Sequence, residues 1–101
     1  PRLLLLDEPT AALDLHHQQH LMRMLKHRVS TTSLAVFCIL HDLNLASLYA
    51  DHVIMLNNGR IARQGTPGGV LQKTVLAETY QADLITLRHP LTGNTSVLLA
   101  P

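Results

Sequence analysis

Two stretches of this 101-residue chain end an apolar run in groups that can hold a cation or move a proton. Leu3-Leu4-Leu5-Leu6 runs into Asp7-Glu8, and Leu34-Ala-Val-Phe-Cys-Ile-Leu40 runs into His41-Asp42. A carboxylate fixed at a strand end, as Asp7 would be, can hold Mg²⁺ through water, because this hard ion keeps several waters and takes only one or two carboxylates. Side chains alternate along a strand, so Glu8 points elsewhere and could orient or deprotonate an attacking water. An imidazole at His41 can donate to an anionic oxygen while a neighbour orients its other nitrogen. Taken alone, the Asp7-Glu8 pair is equally well read as the solvated end of a strand, and a lone histidine at a strand end as a surface residue.

Other chemistry-bearing residues admit plainer readings. Asp14 suits a helix N-cap, since its carboxylate can accept from the free amides of the first turn. His16 and His20 are four apart on a helix, a spacing that can chelate zinc. A helical wheel groups them with His27 and Arg23 opposite the apolar stripe, with no Cys or acidic residue to complete a ligand set, so a solvated polar face is expected. Cys38 is the single cysteine, which excludes an intramolecular disulfide, and its apolar neighbours point to an inert thiol.

The elements that must position these groups follow from hydrophobic pattern. Leu3 to Leu6 suits a strand buried on both faces and stopped by Pro9. From Leu13 to about Val29 the period becomes helical, placing Leu15, Met22, Leu25 and Val29 on one stripe, with Gln18 its only polar member. Ser30-Thr31-Thr32-Ser33 reads as a linker, and Leu34 to Leu40 as a second central strand. Two apolar runs about thirty residues apart with an amphipathic helix between them make a βαβ unit with a right-handed crossover. Both polar tips then share one sheet edge, where open α/β sheets bind ligands.

Downstream, a short helix is expected over 42–50 and a strand over 53–56. Asn57-Asn58-Gly59 supplies the positive φ values of a tight turn, leading to a hairpin partner over 60–64. Helices are expected over 67–73 and 74–81, the first weakened by Gly68-Gly69 by roughly 1 kcal/mol per glycine. A closing hairpin pairs 84–88 with 96–99. Gln72-Lys73-Thr74 resembles the end of a phosphate-binding G-x-x-x-x-G-K-[ST] loop, but Pro67 and Gln72 occupy both required glycine positions, so the backbone cannot wrap phosphates there.

Leu3-Leu4-Leu5-Leu6-Asp7-Glu8-Pro9-Thr10, then Ala11-Ala12-Leu13-Asp14, then Ile39-Leu40-His41-Asp42-Leu43 closely resembles the Walker B segment, D-loop and switch histidine of ATP-binding-cassette (ABC) ATPases. The resemblance implies an α/β fold: a partial P-loop NTPase core with parallel strands and flanking helices, plus carboxyl-terminal β-hairpin elements. It makes residues 1–101 the carboxyl-terminal part of a single nucleotide-binding domain, without the Walker A loop, the signature motif, the Q-loop or the adenine-stacking aromatic. It implies ATP and Mg²⁺ as ligands, with Asp7 holding Mg²⁺ through water, Glu8 and His41 as catalytic groups, His41 sensing the γ-phosphate, and Asp14 contacting a second ATPase subunit in a homodimer. Ala11 stands where the D-loop often carries serine, a departure expected to weaken one hydrogen bond of that contact. In the family the Walker A strand lies between the His41 strand and the Val53 strand, so this chain alone is expected to be inactive and to leave strand edges unpaired.

His41-Asp-Leu-Asn-Leu-Ala46 with Tyr49-Ala50-Asp51 resembles ATPase subunits of bacterial importers for iron chelates, cobalamin and haem. Tyr80-Gln81-Ala82-Asp83-Leu84 with Arg88-His89-Pro90 looks most like those of haem (hemin) importers. The resemblance thus implies transmembrane permease partners, an indirect periplasmic haem-binding protein, and a peripheral location on the cytoplasmic face of the inner membrane. Cargo is bound by other subunits, so His89 is not expected to ligate haem. A soluble ABC-type ATPase acting on DNA or ribosomes, or a non-catalytic interaction fragment, are the competing classes.

Composition sets the outer limits. With 47% hydrophobic and 15% charged residues, disorder is not expected, and one small domain is the most this length allows. Eight basic residues against seven acidic ones, scattered along the chain, give no electrostatic case for nucleic acid. The longest apolar run, 34–40, is far short of the roughly 20 residues of a membrane helix. Pro1-Arg2 and four leucines match neither an initiator Met nor a signal-peptide core, so the chain is expected to begin inside a larger protein.

Overall fold

The structure is a computed structural model that describes residues 2–101. It packs as two compact units, 1–42 and 43–101.

In the first unit, β1 (Arg2–Asp7) and β2 (Leu34–Ile39) pair in parallel, with an unbroken register from Arg2 opposite Leu34 to Asp7 opposite Ile39. The helix α1 (Leu15–Thr31) joins them and packs against β2. Met22 and Leu25 are its buried residues, with Val29 half-buried. Leu15, expected on the buried stripe, is instead 84% exposed. It is the first helical residue after the Asp14 cap, a turn and more before the part of α1 that reaches a partner surface.

The expectation that β1 is buried on both faces also needs correction. Leu3 and Leu5 are 64% and 68% exposed. One helix packed on one strand of a two-stranded sheet cannot cover both faces, whatever the sequence of the strands.

The helix ends later than expected, taking in Ser30 and Thr31 before Thr32 caps it. Ser30 Oγ and Thr31 Oγ1 donate to His27 O at 2.9 and 2.8 Å, and the Thr32 hydroxyl and amide both donate to Arg28 O. Of these, the Thr32 amide and hydroxyl meet Arg28 O, a carbonyl beyond the last in-helix hydrogen bond, whereas the Ser30 and Thr31 hydroxyls bond back onto His27 O, which the helix itself already pairs. Thr32 Oγ1 then accepts from Leu34 N at 3.1 Å, leading the chain straight into β2.

The second unit carries α2 (Leu43–Tyr49), an antiparallel hairpin of β3 (Val53–Asn57) and β4 (Arg60–Gly65), α3 (Pro67–Val70), α4 (Lys73–Tyr80), and a closing hairpin of β5 (Leu84–Arg88) and β6 (Thr95–Leu99). Asn58 and Gly59 both take positive φ (51° and 74°), as the tight turn requires. The helix expected over 67–73 is only four residues long, capped by Thr66, whose hydroxyl accepts from Gly69 N at 3.2 Å. The chain breaks at Leu71 and restarts with Gln72 as the extended N-cap of α4. The Lys73-Thr74 pair therefore opens α4.

Met55, Val70, Leu71, Leu76, Leu84 and Val97 form the core of this unit, with Leu43, Val53, Val75 and Ala82 packed against it. Two asparagines fasten its far ends together. Asn44 Oδ1 accepts from Val97 N at 2.7 Å while its Nδ2 donates to Val97 O at 3.2 Å. Asn94 Nδ2 donates to Ser47 O at 2.8 Å. No helix among the described residues is long and apolar enough to cross a membrane.

A candidate nucleotide-hydrolysis edge

Because β1 and β2 are parallel and in register, their carboxyl ends emerge side by side. Asp7 is the last residue of β1 and is exposed. Glu8 follows with φ 49°, in the left-handed region that costs a residue with a Cβ roughly 1–2 kcal/mol. Its amide still donates to Ile39 O at 2.9 Å, so the backbone stays tied to β2 while it turns. The different directions of Asp7 and Glu8 were expected from strand alternation. In the structure Glu8 lies just outside β1 and takes a left-handed backbone conformation, so strand alternation does not apply to it.

Glu8 Oε1 accepts a hydrogen bond from His41 Nε2. An ionised carboxylate only accepts, so the ring nitrogen carries the proton. The Glu8 side chain is 41% exposed and that of His41 is 81% exposed. At that exposure the pair adds little to stability, and both groups remain open to a ligand.

Asp14 takes up its cap position. Its carboxylate accepts from His17 N at 2.9 Å and pairs with His17 Nδ1 at 2.7 Å. The backbone hydrogen bond from His17, then the side-chain one, hold its carboxyl below the ordinary aspartate range. Between Glu8 and Asp14 the chain makes two tight turns, with Ala11 N donating to Glu8 O and Leu13 N to Thr10 O. Thr10 is buried.

Sequence reasoning passed over Gln18. Its amide nitrogen donates to Thr10 O at 3.3 Å and to Leu13 O at 3.2 Å, bridging the loop that follows Glu8. The available signal was a polar residue in an otherwise apolar stripe.

The remaining candidates stay apart from this edge. His16, His20 and His27 are exposed on α1, and no group of three His, Cys, Asp or Glu among the described residues could hold a metal ion. Burial raises the pKa of the Cys38 thiol, as expected of an unreactive cysteine. His89 lies at the turn of the closing hairpin, where its Nδ1 accepts from Leu91 N at 3.1 Å.

The donor set can be tested against the two implied ligands. The exposed carboxylate of Asp7 suits Mg²⁺ held through water and completed by phosphate oxygens, and among the described residues no group of three His, Cys, Asp or Glu offers a protein-made cage. The edge offers a carboxylate and an imidazole to a reacting centre, and no glycine-rich phosphate cradle.

No family model matches the chain. It is 46% identical over 99 residues to the hemin import ATP-binding protein HmuV of Escherichia coli O157:H7, covering 98% of this chain and 39% of that protein. Among solved structures, a metal-chelate type ABC transporter in an inward-facing conformation superposes with a TM-score of 0.84 at 24% identity, over 98% of this chain and 40% of the other. The cbiO1 protein of Clostridium perfringens, part of the ABC transporter complex cbiONQ, superposes with a TM-score of 0.66 at 31% identity, over 77% of this chain and 31% of the other. The chain thus spans about two-fifths of the length of HmuV.

Proposed function

We propose that this chain, which belongs with the ATP-binding subunits of ABC transporters, supplies the hydrolysing and sensing edge of such a subunit. On this reading residues 1–101 are the carboxyl-terminal part of one nucleotide-binding domain, and the segments that hold ATP lie in the remainder of the subunit. The coverage of the HmuV relative supports that division.

The observation that carries the reading is the contact between Glu8 and His41 across the ends of two parallel strands. Glu8 orients the attacking water and accepts its proton. His41 now donates to Glu8, and a phosphate oxygen would compete for the same N–H. Arrival of the γ-phosphate therefore exchanges one acceptor for another and frees a Glu8 oxygen for water. Asp7 would hold Mg²⁺, which when bound neutralises phosphate charge, and Asp14 would face a second ATPase subunit across the homodimer.

We infer haem as the cargo of the whole transporter, from the name of the HmuV relative and the resemblance at 80–90. The partners on this reading are two permease subunits and, indirectly, a periplasmic haem-binding protein. The place of action is the cytoplasmic face of the inner membrane. By itself the 101-residue chain is expected to be inactive toward ATP.

The test uses a complete subunit carrying this chain. Glu8→Gln should keep ATP binding and accumulate a closed dimer, whereas His41→Ala should bind ATP and turn over poorly. Near-normal hydrolysis in both variants overturns the site.

A further inference from the structure

We propose that Gln18 is a positioning residue for the hydrolysis edge, holding the loop between Glu8 and Asp14 in place from the first turns of α1. The inference rests on the ATPase reading of Glu8. Its starting point is an anomaly: Gln18 shares a helix face with Met22, Leu25 and Val29, where an apolar residue would be expected. The side chain is part-buried, and its amide nitrogen reaches the carbonyls of Thr10 and Leu13 at 3.3 and 3.2 Å. Both partners only accept, so the NH₂ end must face them, and each of its two hydrogens serves one carbonyl.

These two carbonyls bracket the loop. Thr10 O is also the acceptor for Leu13 N, and Glu8 O is the acceptor for Ala11 N, so the turn on Thr10 is stacked directly on the turn that begins at Glu8. The Gln18 backbone is fixed independently, because its amide donates to Asp14 O at 2.9 Å in the first helical hydrogen bond. One residue thus ties the helix start, the loop and, through the loop, the left-handed backbone at Glu8. That backbone conformation is unfavourable for a glutamate and persists only where its surroundings over-determine it. The two ties from Gln18 are part of that surrounding constraint, and small displacements of a catalytic group are costly in rate.

Gln18→Met removes both donors while keeping length, helix propensity and an apolar character that suits the face. In a complete subunit carrying this chain, backbone amides of Ala11 and Leu13 should exchange with deuterium about thirtyfold faster in the variant, the weight of two ordinary hydrogen bonds. Amides around Met22 and Leu25 should keep their protection. The kcat for ATP should fall roughly tenfold or more with KM nearly unchanged, because orientation is lost and phosphate binding is not. Gln18→Lys, which retains donors on a flexible stem, should recover part of the loop protection and of kcat. Loss of protection throughout α1, or kcat and loop exchange both within twofold of the parent, overturns the proposal. Glu8→Gln measured alongside separates the two readings. If it abolishes hydrolysis while Gln18→Met is silent, only the positioning role fails; if Glu8→Gln hydrolyses normally, the ATPase reading of the edge fails first.

Discussion

Replacing Asn44 by alanine should detach the closing hairpin from α2, and the size of the effect can be worked out from the contacts. Asn44 gives Val97 one acceptor at 2.7 Å and one donor at 3.2 Å, so its amide behaves as a short piece of neighbouring strand. Both Val97 backbone groups are therefore directed to the open side of β6, away from β5. Val97 is a core residue, 8% exposed, so water reaches its backbone poorly once the asparagine is gone. An unpaired buried backbone group costs about 1–3 kcal/mol; two such groups, partly relieved by local opening, give roughly 2–3 kcal/mol. Amide exchange at Val97 reads this directly, because its N–H is the one that loses its acceptor. Protection there should drop by about thirty- to a hundredfold, at roughly 1.4 kcal/mol per factor of ten. Asn44→Asp retains the acceptor and sets a carboxylate against Val97 O, so it should recover little. A change at Val97 of less than threefold in Asn44→Ala would refute the assignment of the asparagine as the fastening.

Two further outcomes follow from the packing and the cap. Leu76 is fully buried in the second unit, and Leu76→Ala should cost about 2–5 kcal/mol by leaving a cavity, read as an earlier thermal or urea transition. The folded-state pKa of Asp14 lies below its unfolded value, so its contribution is complete above the ordinary aspartate range and is lost as pH falls through the lowered folded pKa. The start of α1 should therefore fray on acidification, with faster exchange at the His17 amide, and Asp14→Asn should flatten that pH dependence while keeping an N-cap acceptor.

The pairing of the two strand tips was legible because apolar runs that stop abruptly are a local signal. Those that end at Asp7-Glu8 and His41-Asp42 imply parallel strands with polar tips; the strands do pair in parallel, and the Glu8 and His41 side chains meet just beyond their ends. Burial was less legible, as Leu3, Leu5 and Leu15 show. Apolar pattern reports which residues could be covered, while coverage depends on what surface is present to pack on them. The helix α1 runs past its expected end because Ser30 and Thr31, weak helix formers by propensity, can still turn their hydroxyls back onto His27 O and leave Thr32 to cap the last turn. The Asn44 and Asn94 fastenings left no sequence signal at all. Their partners are 53 and 47 residues away, and a polar residue on a short helix looks the same whether it faces water or a strand.

The uninterrupted parallel register has a consequence for how the chain can vary in length. Each residue added within β1 or β2 advances one tip past the other by about 3.3 Å, enough to separate Glu8 from His41. Residues added in the exposed turn at Thr32-Ser33, after α1, lengthen the crossover without rotating Met22, Leu25 or Gln18 and leave both tips where they are. Insertions and deletions among functional descendants of this sequence should therefore collect in the crossover and spare both strands. The spacing from Asp7 back to the start of β1, and from Leu34 to His41, is the dimension that must be kept.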